Sequence, residues 1–252
     1  MSQDFLGWEN RRADWNICDY VLDSDFLENN PRQKRFPIWA SFGVHQLTKP
    51  KDLSDFLIDK KFCCMVVSNG NAKERIDFFN RLSAYKKVDS GGRYLNNIGG
   101  PVVDKKEFIK AYKFVIAFEN SSYPGYTTEK LFEPMYSNTI PIYWGNTEVG
   151  KDFNVKSFVN VHDYKSIESA IDHIIELDKN DAAYMAMAAQ PWLNNNTSAP
   201  EFSEESLLSF FDYIVEDSKT KKPVALSFYR RNLHQASVIK RKLVFSVRKK
   251  LS

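Results

Sequence analysis

Polar and charged residues cluster in one short stretch, FENSSYPGYTTEKL, which spans residues 118–131. It follows an apolar run and leads into a predicted helix that begins near Glu129 and Lys130. A lysine at a helix N-terminus favours an anion. Glu129 and Asn120 offer hydrogen-bond acceptors that suit the hydroxyls of a ribose or a sugar, and Tyr126 adds a flat ring and a phenol. The stretch therefore predicts a site for a ligand with both phosphate and sugar parts.

A second cation comes from Arg75, which lies in the first turns of the helix predicted after the apolar run 62–67. If the two strand–helix units are neighbours, Arg75 points a bidentate guanidinium at the same anion. Two cations without a metal cluster suit a diphosphate leaving group. The chain has neither a P-loop motif nor a G-x-G-x-x-G motif, so a nucleotide sugar fits better than ATP or a dinucleotide.

The same residues also have an ordinary structural interpretation. Glu129 and Lys130 can form the solvated first turn of a helix, Asn120 can cap a turn, and Arg75 can lie on the surface of an amphipathic helix. Spacing alone leaves both interpretations open.

The elements that would position this site alternate along the chain. Short apolar runs predict strands, and segments of about a dozen residues with helical periodicity separate them. This alternation predicts an α/β fold with a mostly parallel sheet, in which ligands bind beyond the carboxyl ends of the strands. Residues 36–40 are predicted to be extended, and the pair Asn71 and Glu74 predicts a capping box. The strands are predicted at 62–67, 88–90, 114–118, 140–144 and 158–161, and the helices at 104–112, 128–137, 166–177, 181–189 and 203–216.

Composition limits the classes of protein that fit. The chain has 252 residues, 43% hydrophobic and 14% aromatic, which is enough for a sizeable core and argues against disorder. Three cysteines are too few for a disulfide framework, which favours a reducing compartment. No apolar stretch reaches the length of a membrane span, and neither a span nor a signal peptide is expected.

Charge is divided unevenly along the chain. From residue 219 onward there are 11 Lys and Arg residues and no acidic residue, whereas the preceding part has 24 basic against 32 acidic residues. With Leu233, Ile239, Leu243, Val247 and Leu251 near helical spacing, this basic tail predicts binding to an anionic membrane surface. Nucleic-acid binding is disfavoured because no recognition motif is present. A disordered solubilising tail is the remaining alternative.

Metal sites receive little support from the sequence. Asp23-Ser24-Asp25 is a D-x-D motif, but pairs of carboxylates at this spacing often arise by chance, and metal binding there is disfavoured. The four histidines show no spacing typical of a zinc site. His162 is interpreted as structural, with a position at the edge of the cleft as the alternative.

The segment from Phe114 to Asn146, FVIAFENSSYPGYTTEKLFEPMYSNTIPIYWGN, closely resembles the signature of the α-1,3/4-fucosyltransferase family. That signature has F-E-N-S, a tyrosine, T-E-K and a strand ending in P-I-x-x-G. The resemblance extends over residues 66–92 and 151–164 and is nearest to the short bacterial members. GWEN, residues 7–10, is similar to the family's Gly-Glu-Asn segment with one inserted residue, Trp8.

The resemblance implies a GT-B architecture of two Rossmann-like domains that face a cleft. It implies inverting transfer of L-fucose from GDP-β-L-fucose to a hydroxyl of N-acetylglucosamine or glucose in an oligosaccharide, most often in α-1,3 linkage. No cofactor is required, and stimulation by a divalent metal is left open. A bacterial cytoplasmic location is implied, with peripheral attachment to the inner face of the membrane through the basic tail and no nucleic-acid partner.

The resemblance also implies roles for individual residues in donor binding. Arg75 and Lys130 would hold the diphosphate, and Glu129 would bind the ribose. Asn120 and Tyr126 would line the donor pocket.

Two carboxylates are implied to act on the reacting groups. Glu9 would be the general base that takes the acceptor's proton, and Glu119 is a candidate for stabilising the oxocarbenium-like sugar. No metal ligand is implied.

Only eight residues precede Glu9, so the acceptor domain is expected to be truncated in this chain. The expected parts are a remnant of the N-terminal acceptor domain (1–54), a GDP-fucose-binding Rossmann-like domain (55–200), and a C-terminal helix with a basic amphipathic helical tail (201–252). The alternative to an active transferase is a GDP-sugar-binding remnant without catalysis. A protein that acts only through its tail is a third hypothesis.

Overall fold

The computed structural model describes residue 15 and residues 18–26, 30–57, 59–221 and 223–224. These residues form a five-stranded parallel sheet flanked by helices and a separate two-stranded parallel sheet. The predicted α/β class is confirmed. The strands are β1 Val21–Asp23, β2 Gln33–Arg35, β3 Lys61–Met65, β4 Val88–Ser90, β5 Tyr112–Phe118, β6 Ile140–Trp144 and β7 Val159–Asn160. The helices are α1 Ser54–Leu57, α2 Lys73–Tyr85, α3 Lys105–Lys110, α4 Glu129–Tyr136, α5 Ile167–Lys179, α6 Asp181–Ala188 and α7 Glu204–Thr220.

The order of the strands in the larger sheet is β4-β3-β5-β6-β7, and all neighbours are parallel. The direction of winding reverses between β3 and β5, because β4 lies on one side of β3 and the later strands lie on the other. Loops that leave the carboxyl ends of two such strands diverge and open a crevice. The segments after Met65 and after Phe118 line this crevice, which is where the candidate site residues lie in the sequence.

The central strands are buried on both faces, as their continuous apolar runs predict. Cys63 and Phe114 belong to the main apolar cluster, whereas their chain neighbours Cys64 and Val115 belong to a second cluster with Ile109. Right-handed crossovers place α2 on one face of the sheet and α3 and α4 on the other. α2 contacts α5, and α3 contacts α4. The site is thus built at the edge of a sheet with helices packed on both faces.

The N-terminal segment shares the main core. Trp39 packs against Phe153 and Phe202, with ring centroids 4.6 and 5.0 Å apart, and Val44 and Leu47 lie in the same cluster as the sheet. The predicted extended segment at 36–40 is wrong. Pro37, with φ fixed near −64°, begins a 3₁₀ helix at Ile38–Phe42 instead.

The helices α3 to α7 each begin at a residue whose side chain caps the helix. Ser166 and Ser169 form a reciprocal capping box at the start of α5. The capping box predicted from Asn71 and Glu74 is wrong, because the residue that precedes α2 is Ala72 and no side chain caps the helix. Asn69 accepts a hydrogen bond from the Asn71 backbone N–H instead, at 2.9 Å.

Candidate functional site

The turn after β5 is closed by a buried carboxylate. Glu119 is 0% exposed, and its oxygens accept hydrogen bonds from the Thr128 backbone N–H at 2.8 Å and from Thr128 Oγ1 at 3.0 and 2.8 Å. Thr128 in turn is the N-cap of α4. The end of the strand is thereby joined to the start of the helix nine residues later. The Ser/Tyr/Gly stretch between them is a closed loop with fixed ends.

The first turn of α4 holds a lysine among three oxygen-bearing groups. Lys130 Nζ lies 3.2 Å from Glu119 Oε2, 3.1 Å from Glu129 Oε1 and 3.0 Å from Thr128 Oγ1. Its side chain is 20% exposed, so the ammonium group is fixed in position while part of the side chain still faces solvent. These three contacts hold the Lys130 ammonium group at the N-terminus of the helix.

Charge in this group is set by opposing effects. Burial disfavours the ammonium, but Glu119 and Glu129 outweigh burial and raise the pKa of Lys130. Burial also opposes ionisation of Glu129, yet Lys130 leaves the pKa of that carboxyl below its usual value. For Glu119 burial wins, and its pKa is raised despite the opposing charge of Lys130. Lys130 is therefore a cation throughout the neutral range.

These contacts bear on the role considered for Glu119 as a stabiliser of a sugar cation. The residue is fully buried, and both carboxylate oxygens are hydrogen-bonded within the protein. Gly145 lies directly against it, since a Cβ added there would stand 2.4 Å from Glu119 Cγ. The geometry favours a residue that positions Lys130 and Thr128 over one that touches a ligand.

The second cation, Arg75, is in α2 and is 1% exposed. Its Nε and Nη2 donate to the Phe118 carbonyl at 3.2 and 2.7 Å, and Nη2 also donates to Asn120 Oδ1 at 2.7 Å. Nη1 donates to the Asn69 carbonyl at 3.3 Å, in the segment after β3. Arg75 therefore joins both sides of the crevice. It is not the surface residue of the ordinary structural interpretation.

The two cations are bonded to consecutive residues. Lys130 pairs with Glu119 and Arg75 with Asn120, so both cations lie at the end of β5 where the winding direction of the sheet reverses. Neighbouring strand–helix units predict from the sequence that the two cations meet here, and the structure brings all four residues together. An anion in the crevice would meet positive charge from two directions.

Tyr126 lies in the same loop and is 5% exposed. Its ring stacks on Tyr123, with centroids 4.6 Å apart and an interplanar angle of 12°. Its carbonyl accepts a hydrogen bond from the Tyr143 hydroxyl at 3.1 Å. The loop thus carries a stacked pair of tyrosine rings.

Asn146 also holds this loop in place, and it is not among the site residues predicted from the sequence. This residue is 0% exposed, its Oδ1 accepts from the Gly125 N–H at 2.8 Å, and its Nδ2 donates to Thr127 Oγ1 at 3.1 Å. Its own N–H donates to the Tyr143 hydroxyl at 3.0 Å. The only signal in the sequence is an Asn directly after a strand that ends in glycine, which is common in ordinary turns.

Gly125 brings the N-terminal segment to the loop. Its φ is +85°, which L side chains rarely adopt, and an added Cβ would stand 2.1 Å from the Ser24 carbonyl oxygen. The D-x-D residues therefore lie beside the candidate donor loop, a contact that no local sequence pattern indicates.

The D-x-D motif forms a turn of its own. Asp23 accepts hydrogen bonds from the Asp25 N–H at 3.2 Å and from Gln33 Nε2 at 2.6 Å. Among the residues that the structure describes, no group of three or more His, Cys, Asp or Glu could hold a metal ion.

Asp23 should affect stability in a pH-dependent way. Burial, and then the nearby Asp25, raise its pKa from 3.8 to about 6. Because the pKa of Asp23 is higher in the folded than in the unfolded protein, ionisation of this residue destabilises the fold. The destabilisation sets in as the pH rises from 3.8 to about 6. Asp23→Asn should therefore raise the free energy of unfolding by about 1 kcal/mol at pH 7.5, a value reduced for partial exposure. Urea denaturation should show the gain disappearing near pH 4, and an equal gain at both pH values would contradict the assignment.

Some predicted features lie outside the described residues. Glu9 is among them, and so is the basic tail from residue 225 onward. No helix within the described ranges is long and apolar enough to cross a membrane.

The sequence is similar to those of known fucosyltransferases. A family model described as glycosyltransferase family 10 (fucosyltransferase), C-terminal part, matches residues 58–209. An α-(1,3)-fucosyltransferase of Helicobacter pylori is 35% identical over 251 residues, which covers 84% of this chain and 52% of the relative. A putative fucosyltransferase, R654, of Acanthamoeba polyphaga mimivirus is 31% identical over 204 residues, or 75% of this chain and 33% of the relative.

The fold is also similar to solved structures. A crystal structure of an α1,3-fucosyltransferase with GDP-fucose superimposes with a TM-score of 0.74 at 32% identity and covers 83% of this chain and 73% of that one. A crystal structure of an α1,3-fucosyltransferase with GDP gives the same TM-score and identity. The chain spans about half the length of the H. pylori relative and a third of the mimiviral one.

Proposed function

The chain belongs to glycosyltransferase family 10, the fucosyltransferases, and on that basis we propose that it transfers L-fucose from GDP-β-L-fucose to a sugar hydroxyl. One observation carries the proposal. Lys130 and Arg75 are bonded to the consecutive residues Glu119 and Asn120 at the point where the sheet reverses its winding. Two fixed cations at that crevice suit a nucleoside diphosphate, and solved α1,3-fucosyltransferases bind GDP and GDP-fucose.

We assign the donor-binding roles as follows. Lys130 and Arg75 hold the diphosphate. Glu129, which keeps a lowered pKa and is a carboxylate at neutral pH, accepts from the ribose hydroxyls. Asn120 and Tyr126 line the donor pocket.

The chemistry then needs few groups. As the bond between the fucosyl carbon and the diphosphate oxygen breaks, negative charge develops on GDP, and the two cations stabilise it. The acceptor oxygen forms its bond from the opposite face, which gives inversion, and its proton passes to a carboxylate that we assign to Glu9. Glu119 acts by holding Lys130 in place rather than by touching the sugar.

The acceptor and the cellular location are further parts of the proposal. We propose N-acetylglucosamine or glucose in an oligosaccharide as the acceptor and α-1,3 as the linkage. The basic tail would attach the protein to an anionic membrane surface in the bacterial cytoplasm. A GDP-sugar-binding protein without catalysis is the second candidate.

The deciding experiment supplies GDP-fucose and a panel of oligosaccharides and measures both GDP release and fucosylated product. We expect GDP release that depends on the acceptor, and a fall of about 100-fold or more for Glu9→Gln with unchanged GDP affinity. Stabilisation by GDP in a thermal-shift assay without transfer to any acceptor would establish the second candidate. If GDP neither binds nor is released, both candidates are wrong.

A further inference from the structure

Ser122 and His162 form a contact at the carboxyl edge of the sheet that the proposed chemistry does not use. His162 lies in the turn after β7, and its ring stacks on Trp144, the last residue of β6, with centroids 5.6 Å apart. Trp144 stacks in turn on Phe118, the last residue of β5, at 5.9 Å. The imidazole therefore belongs to a row of rings that crosses three adjacent strand ends beside the donor loop.

The hydrogen bonds in this contact have a defined direction. Ser122 Oγ donates to the Gly145 carbonyl at 2.6 Å and lies 3.1 Å from His162 Nε2. A hydroxyl has one proton, and the Gly145 carbonyl can only accept it. Ser122 must then accept from His162, so Nε2 carries a proton. This donor is present in both the neutral and the protonated imidazole.

The contact completes the attachment of the donor loop. Glu119 and Thr128 join its two ends, and Asn146 braces its second half at Gly125. Within the first half, between Glu119 and Gly125, the Ser122 side chain bonds both to the end of β6 and to the turn after β7. Asn120, which bonds to Arg75, lies only two residues from this anchor. A change at His162 should therefore reach the donor site through Ser122 and through the Gly145 carbonyl, which accepts from Ser122 and also hydrogen-bonds His162.

We propose that His162 is a positioning residue for donor binding, which acts by donating Nε2–H to Ser122 and so fixes the half of the loop that carries Asn120. The inference rests on the proposed function, since it concerns the affinity for GDP and its fucose ester. In the proposed chemistry His162 takes no part in the bonds that form and break, and the transferred proton passes to Glu9. Its loss should weaken donor binding and leave the chemical step unchanged.

The test compares side chains that do or do not place a donor at the Nε2 position. His162→Ala and His162→Asn should raise the Kd for GDP about 3- to 10-fold, the loss of one hydrogen bond that orders a loop. His162→Gln, whose amide reaches the same position, should stay within about 2-fold of the parent. With GDP-fucose and acceptor, the KM for the donor should rise in the Ala and Asn variants while kcat changes less than about 2-fold. His173→Ala removes an imidazole of α5 that is 33% exposed and lies beside Glu176, and it is the matched control.

A double-mutant cycle separates positioning from general destabilisation. Ser122→Ala should weaken GDP binding as His162→Ala does, and the double variant should be no weaker than the more affected single variant. Independent, multiplying effects would overturn the inference, as would a His162→Gln protein as weak as His162→Ala. If the parent itself fails to bind GDP, its own titration shows that the proposed function is wrong, and the inference falls with it. If the parent and His162→Ala bind GDP equally well, the inference about His162 is wrong while the proposed function stands.

Discussion

Replacing Lys130 by Met should weaken GDP binding about 10- to 100-fold, because a charge-assisted contact to the diphosphate is lost. The same change leaves Glu119 as a wholly buried carboxylate without its cation. Removing one partner of a buried pair is strongly destabilising, and the free energy of unfolding should fall by about 2–4 kcal/mol at pH 7.5. The Lys130 side chain keeps 20% exposure, which places the expectation below the full range for buried pairs.

A second substitution separates the two effects. Adding Glu119→Gln to Lys130→Met removes the uncompensated charge but leaves Thr128 a carbonyl oxygen to bond. The double variant should recover most of the lost stability in urea denaturation and none of the lost GDP affinity in calorimetry. Lys151→Met, which removes an exposed lysine paired with Glu148, is the control and should change neither quantity appreciably. Recovery of GDP binding together with stability would mean that Lys130 acts only as a structural residue.

The stability that Lys130→Met loses relative to the parent should become smaller as the pH is lowered. Burial already raises the pKa of Glu119 above its ordinary value of 4.5, and without the opposing ammonium it should rise further. The free-energy cost of burying the ionised Glu119 carboxylate is absent below the pKa that this residue has in the unfolded chain. The cost grows as the pH rises through its pKa in the folded protein. The stability difference between variant and parent should therefore shrink from pH 7.5 towards pH 4.5. A difference that does not depend on pH would point to lost packing rather than to a buried charge.

Local patterns are enough to place the site in the fold. The apolar runs at 62–67 and 114–118 predict β3 and β5 because strands buried on both faces have no polar alternation to disguise them. Short apolar runs alternating with helices then predict a parallel sheet, and its carboxyl edge is where Arg75 and Lys130 meet. The sequence alone thus predicts that the site lies at the carboxyl edge of the sheet and that it contains these two cations.

The bonding within the site could not be predicted in the same way. A glutamate at position 119 could either face a ligand or accept hydrogen bonds from Thr128, and the sequence does not distinguish these roles. Only the three-dimensional arrangement shows that Glu119 is buried. Asn146 reaches Gly125 across 21 positions and His162 reaches Ser122 across 40, so neither contact leaves a periodic signal. The strands β1 and β2 have the sequences VLD and QKR, and neither is an apolar run of the kind that predicts a strand.

Replacing Arg75 should have the largest effect on the fold. Arg75→Met removes the donors to the Phe118 and Asn69 carbonyls and to Asn120 Oδ1 in a site that is 1% exposed. Each buried acceptor left without a donor costs about 1–3 kcal/mol, and the free energy of unfolding should fall by about 3–5 kcal/mol in urea denaturation. GDP binding should fall at least as far as in Lys130→Met, since both the charge and the shape of the crevice are lost.

Two matched variants decide what Arg75 contributes. Arg81→Met lies on the same helix, but its side chain is 48% exposed and pairs at the surface with Asp77 and Glu168, so a loss within about 1 kcal/mol and unchanged GDP affinity are expected. Arg75→Lys keeps the charge but cannot reach the Phe118 carbonyl, Asn69 and Asn120 together. It should stay substantially destabilised while retaining more GDP affinity than Arg75→Met. If Arg75→Lys and Arg75→Met bind GDP equally well at a temperature where both are folded, the charge of Arg75 does not act on the diphosphate and its contribution is the geometry of the crevice alone.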